Sequence, residues 1–168
     1  METITFTKVK LQWGFFSNMS PHPVTYEGQV WRTTEALFQA LRFPKNPTIQ
    51  EAIRREKSPM TAKMVAKRER KERTIEPGSD QDLANMRLVL RLKIDQHPSL
   101  RKALLETGEA TIIEDCSSRR ASIWGARFVA GGWEGDNLLG KLWVELREQL
   151  KDHDRQRHLA GATGGTPA

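Results

Sequence analysis

Apolar and polar residues alternate at the start of the chain. Ile4, Phe6 and Val9 are set among polar neighbours, which predicts a half-buried strand over Ile4–Val9. Two further short strands are predicted at Val24–Tyr26 and Gln29–Trp31. They fold back on each other through Glu27-Gly28, where glycine supplies a positive φ. Phe15 and Phe16 precede Ser17-Asn18-Met19-Ser20-Pro21, a loop rich in turn formers.

From Thr34 the pattern turns helical. One helix is expected from Thr34 to about Arg42, capped by Thr33 or Thr34 and stopped by Pro44. Gln50–Glu56 continues as helix. Ser58-Pro59 then reads as an N-cap with proline at the first helical position, ahead of an apolar stripe of Met60, Met64 and Val65. Pro77-Gly78-Ser79 breaks the chain. Asp80 caps a long helix in which Leu83, Met86, Leu90 and Ile94 recur at spacings of three and four. Pro98-Ser99 opens a short helix that Gly108 closes, and Ala110–Glu114 reads as a strand. Residues 117–136 are irregular and glycine-rich. Asn137 caps a last helix with Leu139, Leu142, Trp143, Leu146 and Leu150 on its apolar side. The pattern lapses after Lys151, so residues 153–168 are expected to form a disordered tail. These elements predict an α+β fold: a small early β-sheet with a helical majority packed around it, one domain over residues 1–152.

Composition agrees with that picture and removes some classes. At 168 residues, 38% hydrophobic and 29% charged, the chain suits one globular core. No apolar run approaches the ~18 residues of a membrane span, and the first residues lack a signal-peptide pattern. The single cysteine, Cys116, excludes an internal disulfide and a multi-cysteine zinc site. A cytoplasmic location is the resulting expectation. His22, His97, His153 and His158 show no metal-ligand spacing, so neither metal nor cofactor is expected. Net charge is +6, and residues 54–73 account for all of it with nine basic and three acidic side chains. Such a stretch can attract nucleic acid or a phosphorylated ligand, or form a solvated helix face with internal ion pairs.

Candidate chemistry begins on the helix from Thr34. At about 100° per residue, Gln39 lies roughly 40° from Glu35 and Arg42 roughly −20°. The three share one face, while Ala36, Leu37, Phe38, Ala40 and Leu41 fill the rest. A polar stripe on a buried helix must be hydrogen-bonded internally or line a cavity. Glu35 lies in the first turn, where the helix dipole favours its anion and burial opposes it, the tension an acid–base group exploits. A surface Glu35–Arg42 stripe would leave the same pattern. A second cluster is Trp124-Gly125 with Gly131-Gly132-Trp133-Glu134-Gly135-Asp136-Asn137. Glycines let backbone approach a ligand, helix N-terminal N–H groups attract phosphate, and Trp124 and Trp133 could stack on a base or simply plug the core. Ser17 and Asn18 can bind ribose hydroxyls or hold a turn. Glu114 and Asp115, at a strand end, are candidates for a second carboxylate or for a solvated strand end.

Taken together, GFFSNMS (14–20), WRTTEALFQALRF (31–43), IRREKSPMTAK (53–63), WG (124–125) and GDNLLGKLWVELREQL (135–150) resemble the NADAR superfamily, the YbiA-like N-glycosidases. The resemblance implies an α+β domain that hydrolyses N-glycosidic bonds. Members similar to this chain act on early riboflavin-pathway intermediates joining ribose phosphate to an aminopyrimidine, and others remove ADP-ribose from guanine bases in nucleic acid. Either a nucleotide-like small molecule or ADP-ribosylated nucleic acid is then the partner. The family's essential glutamate falls on Glu35. Its ligand-contacting positions fall on Ser17, Asn18, Gln39, Trp124, Gly125, Asn137 and Gly140, and Arg42 is a further candidate, to balance phosphate charge. The chain departs from the family at Ala121 and Ala126, where members often carry acidic residues, and lacks a tryptophan common near 73–77. Those departures favour the alternative of a non-catalytic module that binds ADP-ribose or a nucleotide. A general basic nucleic-acid-binding domain is a third reading.

Overall fold

A computed structural model describes residues 2–120 and 122–163 of the chain. The fold is α+β, but its strands form three separate pairs rather than one early sheet. Strand β1 (Thr3–Phe6) is shorter than the pattern predicts. The chain turns straight after it, through Leu11 N–H to the Lys8 carbonyl and Gly14 N–H to the Leu11 carbonyl. β1 pairs in parallel with β4 (Thr111–Glu114), Phe6 lying opposite Glu114. β2 (Val24–Tyr26) and β3 (Gln29–Trp31) make the expected antiparallel hairpin. Glu27 and Gly28 both take positive φ, 48° and 74°, as a two-residue hairpin turn requires.

The third pair lies within the stretch expected to be irregular: β5 (Arg127–Val129) and β6 (Gly132–Glu134) form a hairpin through Ala130-Gly131. Phe128 and Val129 are exposed, so no alternation of burial announces these strands.

The helices are α1 (Thr34–Ala40), α2 (Pro47–Arg55), α3 (Pro59–Arg68), α4 (Asp80–Gln96), α5 (Pro98–Glu106) and α6 (Leu138–Thr163). Side-chain oxygens cap them where short polar residues precede a helix. Thr33, Asn46, Ser58 and Ser79 accept from the N–H groups of Ala36, Ile49, Thr61 and Asp82. Asn46 starts α2 earlier than the apolar pattern suggests. Ser79, not Asp80, is the α4 cap.

Phe6, Phe16, Leu37, Phe43, Ile53, Leu90, Ile94 and Trp143 are fully buried in one core. Each contributes about 1.5–3 kcal/mol of transfer free energy. Trp143 of α6 packs on Phe16 at 5.1 Å and donates its Nε1–H to the Phe16 carbonyl at 3.0 Å, tying the last helix to the loop at 14–20. Lys93 of α4 grips the same loop from inside. Fully buried, it donates to the carbonyls of Phe15 and Ser17 and to Ser20 Oγ. Burial pulls its pKa down to about 7.

Helix α6 runs to Thr163, past the point where polarity predicts disorder. Ion pairs hold part of this extension: Arg101 with Asp154 and Asp152 with Arg155, each at 2.7 Å. Residues 164–168 of the expected tail lie outside the described residues, as does Ala121. Among the described residues no helix is long and apolar enough to cross a membrane, and no cluster of His, Cys, Asp and Glu could hold a metal.

Candidate active site

Helix α1 is apolar around most of its circumference and buried, which places its polar stripe inside the molecule. The stripe lines a cleft of about 420 Å³. Loop residues Ser17, Asn18 and Met19, α1 residues Glu35, Phe38 and Gln39, Arg42 just past the end of α1, and Lys63 of α3 line it. Met86, Glu114, Arg119, Arg120, Ser122, Trp124 and Leu139 complete it.

The stripe is wired as a chain of hydrogen bonds. Gln39 Nε2–H donates to Glu35 Oε1 at 2.8 Å, and Arg42 Nη1–H donates to Gln39 Oε1 at 3.3 Å. Arg42 turns its other nitrogens, Nε and Nη2, onto Asp82 at 2.7 and 2.8 Å. The Arg42 charge is therefore already matched by a fully buried carboxylate, so Arg42 belongs to the wall of the cleft and not to a phosphate counter-charge. Glu35 Oε2 has no partner among the described residues and is open to the cleft.

Asn18 holds the loop to α1 and also lines the cleft. Its backbone carbonyl accepts from the Glu35 N–H at 3.0 Å and its Oδ1 from Thr34 Oγ1 at 2.9 Å, so the loop and the start of α1 lock together. Its Nδ2 faces Met86 Sδ at the cleft. Ser17 Oγ accepts from the Met19 N–H, holding the turn while lining the same cleft.

Glu114 enters from the end of β4, across the cleft from α1. Burial pushes its carboxyl up, Arg119 opposes that through a 2.6 Å ion pair, and the charge of Glu35 adds to the upward push. Asp115 does not line the cleft. It sits in a bridge with Ala126 and accepts from the Ser117 N–H at 2.8 Å. Trp124 lines the cleft edge-on to Phe38 at 5.5 Å, whereas Trp133 packs on Phe128 of the β5–β6 hairpin, outside the cleft lining.

Gly125, Asn137 and Gly140 are also absent from the lining, for a common reason. They are where α6 and the 122–126 segment press against β4. A Cβ on Gly125 would collide with Cys116 Sγ and the Glu114 carbonyl, and one on Gly140 with the Ile112 carbonyl. Asn137 does not cap α6 with its side chain. Held at φ 48°, it donates Nδ2–H to the Ile112 carbonyl at 2.8 Å and accepts the Glu114 N–H on Oδ1 at 3.1 Å. Nor is the start of α6 free for phosphate: the N–H groups of Asn137, Leu138 and Leu139 donate to the carbonyls of Gly125, Ile123 and Trp124. Gly125 and Asn137 thus meet the backbone of Glu114, and Gly140 packs against Ile112 and Asn137 beside them. Ala126, likewise, is buried in the bridge and not in the lining.

The NADAR domain family model matches residues 5–151, a span that contains every residue lining the cleft. The chain belongs to the NADAR domain family. N-glycosidase YbiA of Escherichia coli (strain K12) is 36% identical over 147 residues, covering 88% of each chain. N-glycosidase Npun_R5314 of Nostoc punctiforme is 31% identical over 155 residues, 89% of this chain and 94% of that one. An NMR structure of the E. coli protein YbiA superposes with a TM-score of 0.76 at 35% identity, covering 91% of this chain and 87% of that one.

Several residues of the NADAR cleft carry no separate signal in the sequence. Lys63 is hidden among the basic residues of 54–73, several of which pair locally: Arg54 and Arg55 with Glu51, Arg68 with Glu69, Arg73 with Glu76. Arg119 and Arg120 fall in a segment without periodicity. Met86 reads as a core residue of α4, and it is buried, yet it also touches the cleft. Cys116 is buried against Gly125, and burial raises its thiol pKa, which leaves it a poor nucleophile.

Proposed function

We propose that the chain hydrolyses the N-glycosidic bond between a phosphorylated ribosyl group, as ribose phosphate or ADP-ribose, and a nucleobase-like leaving group. N-glycosidases are hydrolases acting on N-glycosyl compounds, and that is the enzyme class of this chain. One observation carries the reading: two carboxyl groups in different environments share one cleft. Glu35 accepts a hydrogen bond on Oε1 and turns Oε2 to the cleft, while burial pushes the Glu114 carboxyl up. Two carboxyls in different surroundings within one cleft can divide acid and base roles.

In the proposed reaction the C–N bond to the base breaks through an oxocarbenium-like ribosyl cation. Glu114 gives its proton to the departing base. Glu35 stabilises the positive charge and takes a proton from the water that adds to the anomeric carbon. The products are free base and the hydroxylated sugar, and a proton shift between the two carboxyls restores the enzyme. Trp124 offers a flat apolar face to the base. Lys63 and Arg120, at the same cleft, supply the positive charge for phosphate, whereas Arg119, like Arg42, already faces a carboxylate.

The finer choice of substrate is open to a direct comparison. Among relatives, riboflavin biosynthesis protein VVA0006 of Vibrio vulnificus is 28% identical over 140 residues, 83% of this chain but 36% of that longer protein. The test offers ribosylaminouracil phosphate and DNA carrying ADP-ribosylated guanine side by side and measures released base. Whichever substrate turns over, Glu35→Gln should reduce kcat at least ~100-fold, with wild-type folding by circular dichroism. Turnover by Glu35→Gln close to wild type would refute the assignment. Retention of ADP-ribose with no base released from either substrate would favour a binding module.

A further inference from the structure

The relay behind Glu35 assigns a role to a residue outside the cleft. Asp82, in the first turn of α4, is fully buried and does not line the cavity. Its carboxylate accepts from Arg42 Nε at 2.7 Å, from Arg42 Nη2 at 2.8 Å and from the Gly78 N–H at 2.8 Å. Arg42 is pinned elsewhere as well. Its guanidinium lies 4.5 Å over the Phe38 ring, and its carbonyl accepts from the N–H groups of Thr74 and Ile75. A guanidinium so held has one free direction, and Nη1 uses it on Gln39 Oε1.

Arginine has only donors. The Gln39 atom facing it must therefore be the carbonyl oxygen, and the NH₂ group must face Glu35. Glu35 Oε1 is then committed to accepting from Gln39, which leaves Oε2 as the oxygen placed to exchange a proton. Oε2 is the oxygen open to the cleft and to a substrate or water there.

We infer that Asp82 is a positioning residue for Glu35, acting through Arg42 and Gln39 to keep proton exchange on the cleft-facing oxygen. The inference rests on the reading of Glu35 as the central acid–base group. Without Asp82 the Arg42 fork is free to rotate, Gln39 can flip its amide, and Glu35 loses both its rotamer restraint and its defined proton acceptor.

The test is a double-mutant cycle on kcat with Asp82→Asn and Gln39→Ala, using whichever of the two substrates above the wild type hydrolyses. Asp82→Asn should lower kcat about 10- to 100-fold while KM moves less than about threefold. In the Gln39→Ala background the same substitution should cost less than about threefold. A purely structural role predicts equal losses in both backgrounds, and that result would overturn the inference, as would a loss falling on KM. Should Asp82→Asn fail to fold, Arg42→Lys replaces it: the cation opposite Asp82 is kept and the branch to Gln39 is lost, so full kcat in that variant overturns the inference. The wild type supplies a check of its own. Its Gln39 side-chain amide protons should exchange slowly with solvent, and rapid exchange contradicts the relay. An active Glu35→Gln would remove the functional reading, whereas an inactive Glu35→Gln with additive Asp82 and Gln39 effects would remove only the relay.

Discussion

Asn137→Ala separates two roles for a residue that the family resemblance places at the ligand. In the structure the Asn137 side chain bridges two backbone groups of β4, the Ile112 carbonyl and the Glu114 N–H. Alanine leaves both without that partner. An interior polar group without a partner costs about 1–3 kcal/mol, so the two together cost about 2–6. Alanine must also adopt the left-handed backbone of position 137, φ 48°, at a further cost of about 1–2 kcal/mol. A total of about 3–8 kcal/mol is a large share of the roughly 5–15 kcal/mol that stabilises an ordinary domain. Urea unfolding, followed by circular dichroism and tryptophan fluorescence, should place the midpoint well below wild type. Asn137→Gly loses the same two bonds but is relieved of the backbone strain, so it should recover about 1 kcal/mol relative to alanine. Kinetics complete the test. A clamp acts on Glu114, so the folded fraction of Asn137→Ala should lose kcat. An unchanged midpoint with KM raised tenfold or more would refute the clamp and restore Asn137 as a ligand contact.

Three further outcomes follow from the same geometry. Gly140→Ala drives a methyl group into the Ile112 carbonyl, so α6 must move off β4, with an expected loss of about 1–3 kcal/mol in urea unfolding. Lys93 binds its proton less tightly in the fold, at about 7, than its ordinary 10.5. The unfolded chain therefore carries more protons between those values; the cost is full below about 7 and gone above 10.5. Wild type should accordingly gain stability relative to Lys93→Met as pH rises from 7 to 10, and parallel stability curves would disprove this. Arg119→Ala removes the group that opposes the upward push on Glu114. With Glu114 as the proton donor, the alkaline limb of kcat/KM should move to higher pH, and an unmoved limb would exclude Glu114 from that role.

What could be read from the sequence was whatever depends on local spacing. The face shared by Glu35, Gln39 and Arg42 follows from helical geometry, and the caps at Thr33 and Ser58 follow from short polar side chains just ahead of helices. Partnership across the fold was not legible. Nothing in the sequence tells Arg42 to choose Asp82 over a phosphate, because both are anions and only the approach of α4 to α1 decides. Gly125, Asn137 and Gly140 look like a ligand loop because close backbone approach demands the same residues whether the neighbour is a phosphate or a strand. Lys93 reads as one more polar position on α4. Its insertion beneath the 14–20 loop depends on a tertiary contact that no periodicity encodes.

The parallel pairing of β1 with β4 joins residues 3–6 to residues 111–114, with α1 through α5 lying between them in the chain. Closing so long a loop costs entropy before the strands return any contact energy, so this pairing belongs among the late steps of folding. The caps and stripe of α1 are local and can form early. A folding chain would thus possess Glu35 and its relay residues before β4 delivers Glu114. On the proposed mechanism, activity then reports completion of the whole topology, and its recovery after dilution from denaturant should lag behind the return of helical signal.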